Sequence, residues 1–176
     1  MSIEIDVLNG DASWETAKPL FEAVWSPQIM EQLPWRHIKW ANADLRVLIE
    51  TPSGGLACHV GIYFRTATWN GRKVHVGGIG GVMTREDCRG RGYASLALDA
   101  AIQTMRANEA VRFAILFCEP HNFAFYSARG WHPFTGEVFC EQPDEGKIRF
   151  EAMAPFVFDV TRAPRQGAID LCGLPW

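Results

Sequence analysis

The spacing of apolar residues changes several times along the chain, and each change predicts an element. Ile3–Leu8 alternates apolar and polar residues, as a half-exposed strand does. From Ser13 to about Trp25 the spacing becomes helical, with Ser13 as the candidate N-cap and Thr16 where a Glu more often completes the cap. A second helix is predicted over 27–40, interrupted near Pro34. Leu45–Glu50 is a short apolar-rich strand, and Gly54-Gly55 makes a turn. Cys58, Val60, Ile62 and Phe64 then fall on one face of an alternating strand. Asn70-Gly71 is a strong hairpin signal, so Leu56–Trp69 is expected to pair antiparallel with Lys73–Thr84.

Past the loop Arg85–Gly92 the period returns to helical. Ala94, Leu98, Ala101, Ile102 and Met105 lie on one face of a helix over 93–106. Phe113–Cys118 is a continuous apolar run, which suits a strand buried on both faces. Asn122–Arg129 reads as a short helix stopped by Gly130. Trp131–Cys140 and Lys147–Val160 read as a closing hairpin with a break or bulge at Pro155, and the tail 162–176 has no clear period. The order β-α-α-β-β-β-α-β-α-β-β predicts an α/β (α+β) protein, a mixed sheet of about seven strands flanked by about four helices. One domain over 1–176 is expected, with a core over 44–160 and a tail over 161–176, because no linker or repeat interrupts the chain.

Composition narrows the class. Apolar residues make up 48% and charged residues 21% of the 176, as in an ordinary soluble protein. No apolar run approaches the roughly 18–20 residues that span a bilayer. The start MSIEIDVLNG lacks the basic and apolar regions of a signal peptide, so a cytoplasmic protein without a membrane partner is expected. A net charge of −3 argues against nucleic acid, and the sequence leaves a homodimer open. Five cysteines without a CxxC indicate neither a disulfide framework nor a metal site.

The candidate chemistry starts at Arg89-Gly90-Arg91-Gly92-Tyr93-Ala94, between a predicted strand and a predicted helix. A helix start offers unpaired N–H groups and partial positive charge to an anion. Gly90 and Gly92 allow positive φ, and the two arginines add charge. The dinucleotide pattern GxGxxG is not met, because Ser95 stands at its third glycine, and GxxxxGK[ST] is absent. Arg89-x-x-Gly92-x-Ala94 resembles the Arg/Gln-x-x-Gly-x-Gly/Ala signature of the GNAT acetyltransferase superfamily. Gly81-Val82-Met83-Thr84 resembles the end of that family's fourth strand, and Phe125-Tyr126 with Gly130-Trp131 resembles its Tyr-x-x-x-Gly-Phe/Trp motif. The resemblance covers 56–134 well and the ends poorly.

The resemblance implies a GNAT-type fold and an N-acetyltransferase that uses acetyl-CoA. It implies that Val82, Met83 and Thr84 offer backbone groups to the pantetheine arm, and that Arg89, Gly90, Arg91, Gly92, Tyr93 and Ala94 wrap the pyrophosphate. It implies direct attack by the acceptor amine, with Tyr126 as proton donor to the leaving thiolate. Gly77, Gly78, Gly80 and Gly81 either weaken and twist one strand or mark a bulge that opens a slot.

For the base, the sequence offers Glu119, His121, His75, Asp170 and the carboxylate of Trp176, with Glu119 at the expected mouth of the slot. His59 and His75 sit on strands, where hydrogen-bonded structural histidines are common. Cys118 and His121 allow a Cys–His nucleophile in principle.

Within the family, Tyr126-Ser-Ala-Arg-Gly-Trp131 and a final Trp look like the aminoglycoside 2'-N-acetyltransferases. That resemblance implies that the Trp176 carboxylate engages a cationic acceptor. Gly80 and Leu174 depart from it, each standing where those enzymes carry an acid. Glu137, Glu141, Asp144 and Glu145 are either a solvated turn or an acidic rim, and Trp25, Trp35 and Trp40 either line an acceptor pocket or belong to the core. The expected activity is acetylation of a small, cationic, aminoglycoside-like amine. The alternatives are acetylation of protein N-termini or lysines and a non-catalytic acyl-CoA sensor.

Overall fold

The computed structural model describes residues 2–176. Strands β1 (Glu4–Asn9), β2 (Leu45–Glu50), β3 (Leu56–Trp69) and β4 (Arg72–Thr84) come first, with helices α1 (Trp14–Val24) and α2 (Pro27–Gln32) between β1 and β2. Helix α3 (Tyr93–Ala107), strand β5 (Phe113–Cys118) and helix α4 (Phe123–Ser127) follow. The chain closes with β6 (Trp131–Pro133), β7 (Glu137–Gln142), β8 (Gly146–Arg149), β9 (Ala154–Phe158) and β10 (Ala168–Asp170).

All of these strands join one sheet in the order β6-β9-β5-β4-β3-β10-β7-β8, with β2 also on β3 and β1 on β2. β3 and β4 form its spine. They meet at Asn70-Gly71, where φ is 48° and 79°. Two successive positive φ values match the twist of a tight hairpin, and Asn-Gly tolerates them. The first half of β3 pairs with β2 and its end pairs with β10. β4 reaches β5 through α3, and the two strands are parallel.

The apolar stripe of α3, including Ala97, Leu98, Ala101, Ile102 and Met105, packs on Val47, Ile49, Val60, Ile62 and Ile79 of the sheet. Gly77 permits this approach, since a β-carbon there would lie 2.4 Å from the Met105 sulfur. The opposite face is covered by α1, by the β7–β8 side of the curling sheet and by the tail.

The mixed sheet and its order of elements agree with the sequence expectation, with ten strands among the described residues where about seven were expected. The second helix ends at Gln32 instead of near 40, because Leu33 precedes Pro34 and is held extended at ψ 135°. Ser13 does not cap α1. Its hydroxyl donates to the Asn9 carbonyl at 2.6 Å, which closes the preceding turn. The expected closing hairpin is two separate pairings: β7 with β8, and β6 with β9. Pro155 lies inside β9 opposite Phe117, and the break falls at 150–153. The tail contributes β10, a three-residue strand too short to show a period.

Candidate active site

β4 and β5 pair only from Val76↔Phe113 to Ile79↔Leu116. Beyond that point they part, for a reason visible on the other side of β4. Gly61 pairs with Gly80 and His59 with Met83, so Gly81 and Val82 together oppose the single Val60. This is a β-bulge, and Gly81 takes φ 58° within it. The bulge turns β4 away from β5 and leaves its inner edge from Gly80 onward without a β5 partner.

A cavity of about 410 Å³ fills the opening. Gly80–Val82 and Phe117–Glu119 form its two strand walls, Tyr126 and Trp176 its ends, and α1, α2 and the turn between them roof it with Trp14, Phe21, Trp25 and Met30. A second concavity of about 500 Å³ lies at the surface beside Asn70, Glu137 and Gly167, and none of the residues 82–84, 89–94 or 125–131 lines it.

The glycine run serves both the bulge and the packing around it. A β-carbon on Gly78 would fall 2.2 Å from the Trp176 indole. One on Gly80 would lie 3.1 Å from both the Tyr63 ring and the main-chain carboxyl carbon of Trp176. One on Gly81 would press on His59 at 3.1 Å.

At the far end of β4 the chain turns through a 3-10 segment, Glu86–Cys88, into the loop before α3. Arg85 braces this turn with a forked pair of bonds to Asp87 at 2.6 and 3.2 Å and a bond to the Leu56 carbonyl at 3.1 Å. Arg89 donates to the Thr84 carbonyl, and Arg91 is exposed. Gly90 and Gly92 have φ 74° and 81°, and open space surrounds both. Gly92 is the N-cap of α3, with no side-chain cap. The first helical bond runs from the Leu96 N–H to the Gly92 carbonyl, so the amides of Tyr93, Ala94 and Ser95 stand at an uncapped helix start. Arg129 ties this first turn to α4, with bonds of 2.7 Å to the Ser95 hydroxyl and the Phe125 carbonyl. It was not visible as a site residue in the sequence.

Tyr126 is 6% exposed and borders the cavity, and its hydroxyl has no protein partner among the described residues. Burial, then the neighbouring Cys118, push its pKa well above the usual phenol value, so it keeps its proton. Glu119 stands on the β5 wall, 3.7 Å from His121, whose ring is largely exposed. Burial raises the Cys118 thiol to about 12, so it is a neutral strand residue, and no His bonds to it to make a nucleophile. Asp170 is bound to Lys147 at 2.8 Å and His75 to Thr66 at 3.0 Å, both outside the cavity. Glu137, Glu141, Asp144 and Glu145 are also outside its lining. Trp25, Trp35 and Trp40 do line it, as an edge-to-face chain with centroids 5.4 Å apart at each step.

The sequence reading gave no role to Arg46. It is 6% exposed and lines the cavity from β2. Its Nε donates to the Gly10 carbonyl at 3.0 Å and its Nη1 to His59 Nε2 at 3.0 Å. His59 Nδ1 donates in turn to the Gly81 carbonyl at 2.7 Å, at the bulge. Burial lowers the His59 pKa to about 4, so the ring is neutral and accepts from Arg46.

Comparison with known proteins bears on this geometry. The model of the acetyltransferase (GNAT) domain family matches residues 10–134. An aminoglycoside 2'-N-acetyltransferase of Mycolicibacterium fortuitum is 30% identical over 90 residues, which are 51% of this chain and 45% of that protein. The match thus spans less than half the length of that relative. A GNAT family acetyltransferase of Brucella melitensis in complex with acetyl-CoA superposes with a TM-score of 0.61 at 14% identity, covering 96% of this chain and 94% of that one. A GNAT family N-acetyltransferase of Escherichia coli in complex with CoA gives 0.58 at 14% identity, covering 97% and 89%. At such identities the likeness is one of fold.

Proposed function

The chain belongs to the GNAT acetyltransferase domain family, and from that premise we propose that it moves the acetyl group of acetyl-CoA directly onto the primary amine of a small molecule. The observation that carries this reading is the placement of three parts along β4. The inner edge of β4, unpaired with β5 from Gly80 onward, lines the cavity together with Tyr126, and the same strand leads through the turn at Glu86–Cys88 to the uncapped start of α3.

The amides of 90–94, with Arg89 and Arg91, hold the coenzyme pyrophosphate. The edge at Val82, Met83 and Thr84 takes the pantetheine amides as a strand would. The thioester then lies in the parting between β4 and β5. The amine nitrogen attacks its carbonyl carbon, and the Val82 or Met83 N–H polarises the carbonyl oxygen. Collapse breaks the C–S bond, and the Tyr126 hydroxyl gives its proton to the departing sulfur. Glu119 takes the proton from the amine, with the Trp176 carboxyl group, beside Gly80, as a second acceptor on the other wall. The whole of 1–176 acts as one such domain, since residues from Trp14 to Trp176 line one cavity.

A roofed cavity of about 410 Å³ favours a small acceptor over an extended peptide. The likeness to an aminoglycoside 2'-N-acetyltransferase favours a second reading, an aminosugar acceptor. Release of free thiol from acetyl-CoA, followed against a panel of amines, tests the function. Amine-dependent release is expected. Saturable acetyl-CoA binding without release for any amine would leave a coenzyme-binding module and remove the catalytic reading.

A further inference from the structure

Arg46 is a buried cation without a counter-ion. Its two bonded nitrogens meet a carbonyl and a neutral imidazole, and it forms no salt bridge among the described residues. Trp14 and Phe21 stack near it, with ring centroids 5.0 and 5.7 Å from the guanidinium carbon. Asp11 and Tyr63 are near enough to favour the charge, but neither touches it. The third nitrogen, Nη2, has no hydrogen-bond partner among the described residues, and Arg46 lines the cavity. Burial disfavours the charge of an arginine so placed, an anion beside it offsets that cost, and its planar fork fits a carboxylate.

The position of this charge relates it to the slot. Arg46, Gly61 and Gly80 stand in register across β2, β3 and β4, and the Tyr63 ring lies over both glycines. One imidazole, His59, separates the guanidinium from the Gly81 carbonyl. The acid side chain in the cavity wall, Glu119, follows β5, across β3 and β4 from the strand that carries Arg46. The rest of the wall is mainly aromatic, and it includes Trp35, whose buried indole N–H has no acceptor among the described residues. The cavity therefore has a cation on its β2 side, an acid on its β5 side and an apolar body.

We infer that the acceptor is a small apolar or aromatic amino acid or a close analogue: its carboxylate pairs with Arg46, its amine faces the bulge, and its side chain lies against Trp25, Trp35 and Trp40. This assignment rests on the acetyltransferase reading of the slot. It disfavours an aminosugar, because several ammonium groups would share one cavity with an uncompensated arginine.

Matched pairs of amines test it. Phenylalanine against phenethylamine, and leucine against isopentylamine, differ by one carboxylate. The wild type should favour the carboxylate-bearing member by roughly 100-fold or more in kcat/KM, since a buried donor rejects a ligand that leaves it unpaired. Arg46→Met should erase this preference while acetyl-CoA affinity holds. Arg46→Lys should restore part of it. An arginine with only a packing role would lower both members of a pair together, and that result overturns the inference. Preference for the decarboxylated amine, or for an aminoglycoside such as tobramycin, also overturns it. The wild-type comparison needs no variant to fold. Calorimetry of 3-phenylpropionate separates the two layers. Binding that Arg46→Met abolishes supports the carboxylate site even where acetyl-CoA fails to bind and the acetyltransferase reading falls. No binding of 3-phenylpropionate to a protein that does bind acetyl-CoA rejects the carboxylate site alone.

Discussion

Trp176 occupies the space that a side chain on Gly78 would fill. A β-carbon there would lie 2.2 Å from indole Cε2 and 2.4 Å from Nε1. The indole N–H donates to the Ile115 carbonyl at 3.0 Å, and the ring stacks on Tyr63 at 5.6 Å between centroids. Gly78 and Ile115 are themselves paired across β4 and β5. The tail is thus fastened one step before the strands part, and Trp176 forms an end of the cavity.

Gly78→Ala should expel the indole. Rigid ring atoms cannot yield 1 Å or more without moving the tail, so a loss of about 1–3 kcal/mol in stability is expected. Urea unfolding measures it. Acceptor KM should rise, while acetyl-CoA affinity, which depends on the other end of β4, should change little. An unshifted urea midpoint would show that the tail sits elsewhere.

Tyr126→Phe should lower kcat by roughly 100-fold, the usual scale for loss of a positioned proton donor. The Kd for acetyl-CoA should stay within about twofold, because the ring remains to pack on Phe125 and Trp131. Stopped-flow thiol release together with calorimetry gives both numbers. Turnover equal to wild type assigns the proton to another group.

His59 makes the fold sensitive to acid. Its pKa is about 4 in the fold against 6.5 for the free side chain, chiefly because it is buried. The unfolded chain therefore binds more protons than the folded chain in this interval. The stability that His59 supplies is complete above about pH 6.5 and is lost as pH falls through about 4, on the order of 3 kcal/mol in all. Urea midpoints measured between these values should fall more steeply for wild type than for His59→Gln. Equal slopes would mean that the ring is not held neutral.

Gly92→Ala should weaken acetyl-CoA binding by roughly tenfold. No atom lies within 4 Å of the new methyl group, so the effect comes only from φ 81°, which costs a non-glycine residue about 1 kcal/mol and tilts the helix start. Gly71→Ala is a control with similar φ, 79°, on the remote hairpin, and its coenzyme affinity should match wild type. Equal affinities for all three proteins would place the coenzyme away from this helix start.

Much of the frame was legible because local rules decide it. The bounds of Leu45–Glu50, Leu56–Trp69 and Phe113–Cys118 follow from alternation, Asn-Gly and an unbroken apolar run, and the structure has them unchanged. The turn at 89–94 was legible because glycines before a helical stripe mark a chain reversal, and Gly90 and Gly92 do take positive φ there. What stayed hidden depends on distant partners. β10 is three residues long and exists because Trp69 and Val138 flank Ile169. The glycines of β4 gave two readings until Trp176, Met105 and His59 were seen against them. Nothing in the local pattern of Leu45–Glu50 marks Arg46, and only α1 folding over it, with Trp14 and Phe21, buries it beside the cavity.

Hydrogen–deuterium exchange with and without acetyl-CoA tests the central claim most directly, because the claim names the amides involved. Saturating acetyl-CoA should slow exchange over Gly90–Ser95 and Val82–Thr84 and leave the Asn70-Gly71 hairpin unchanged. Protection confined to other segments, or none at a concentration where acetyl-CoA is bound, would contradict it.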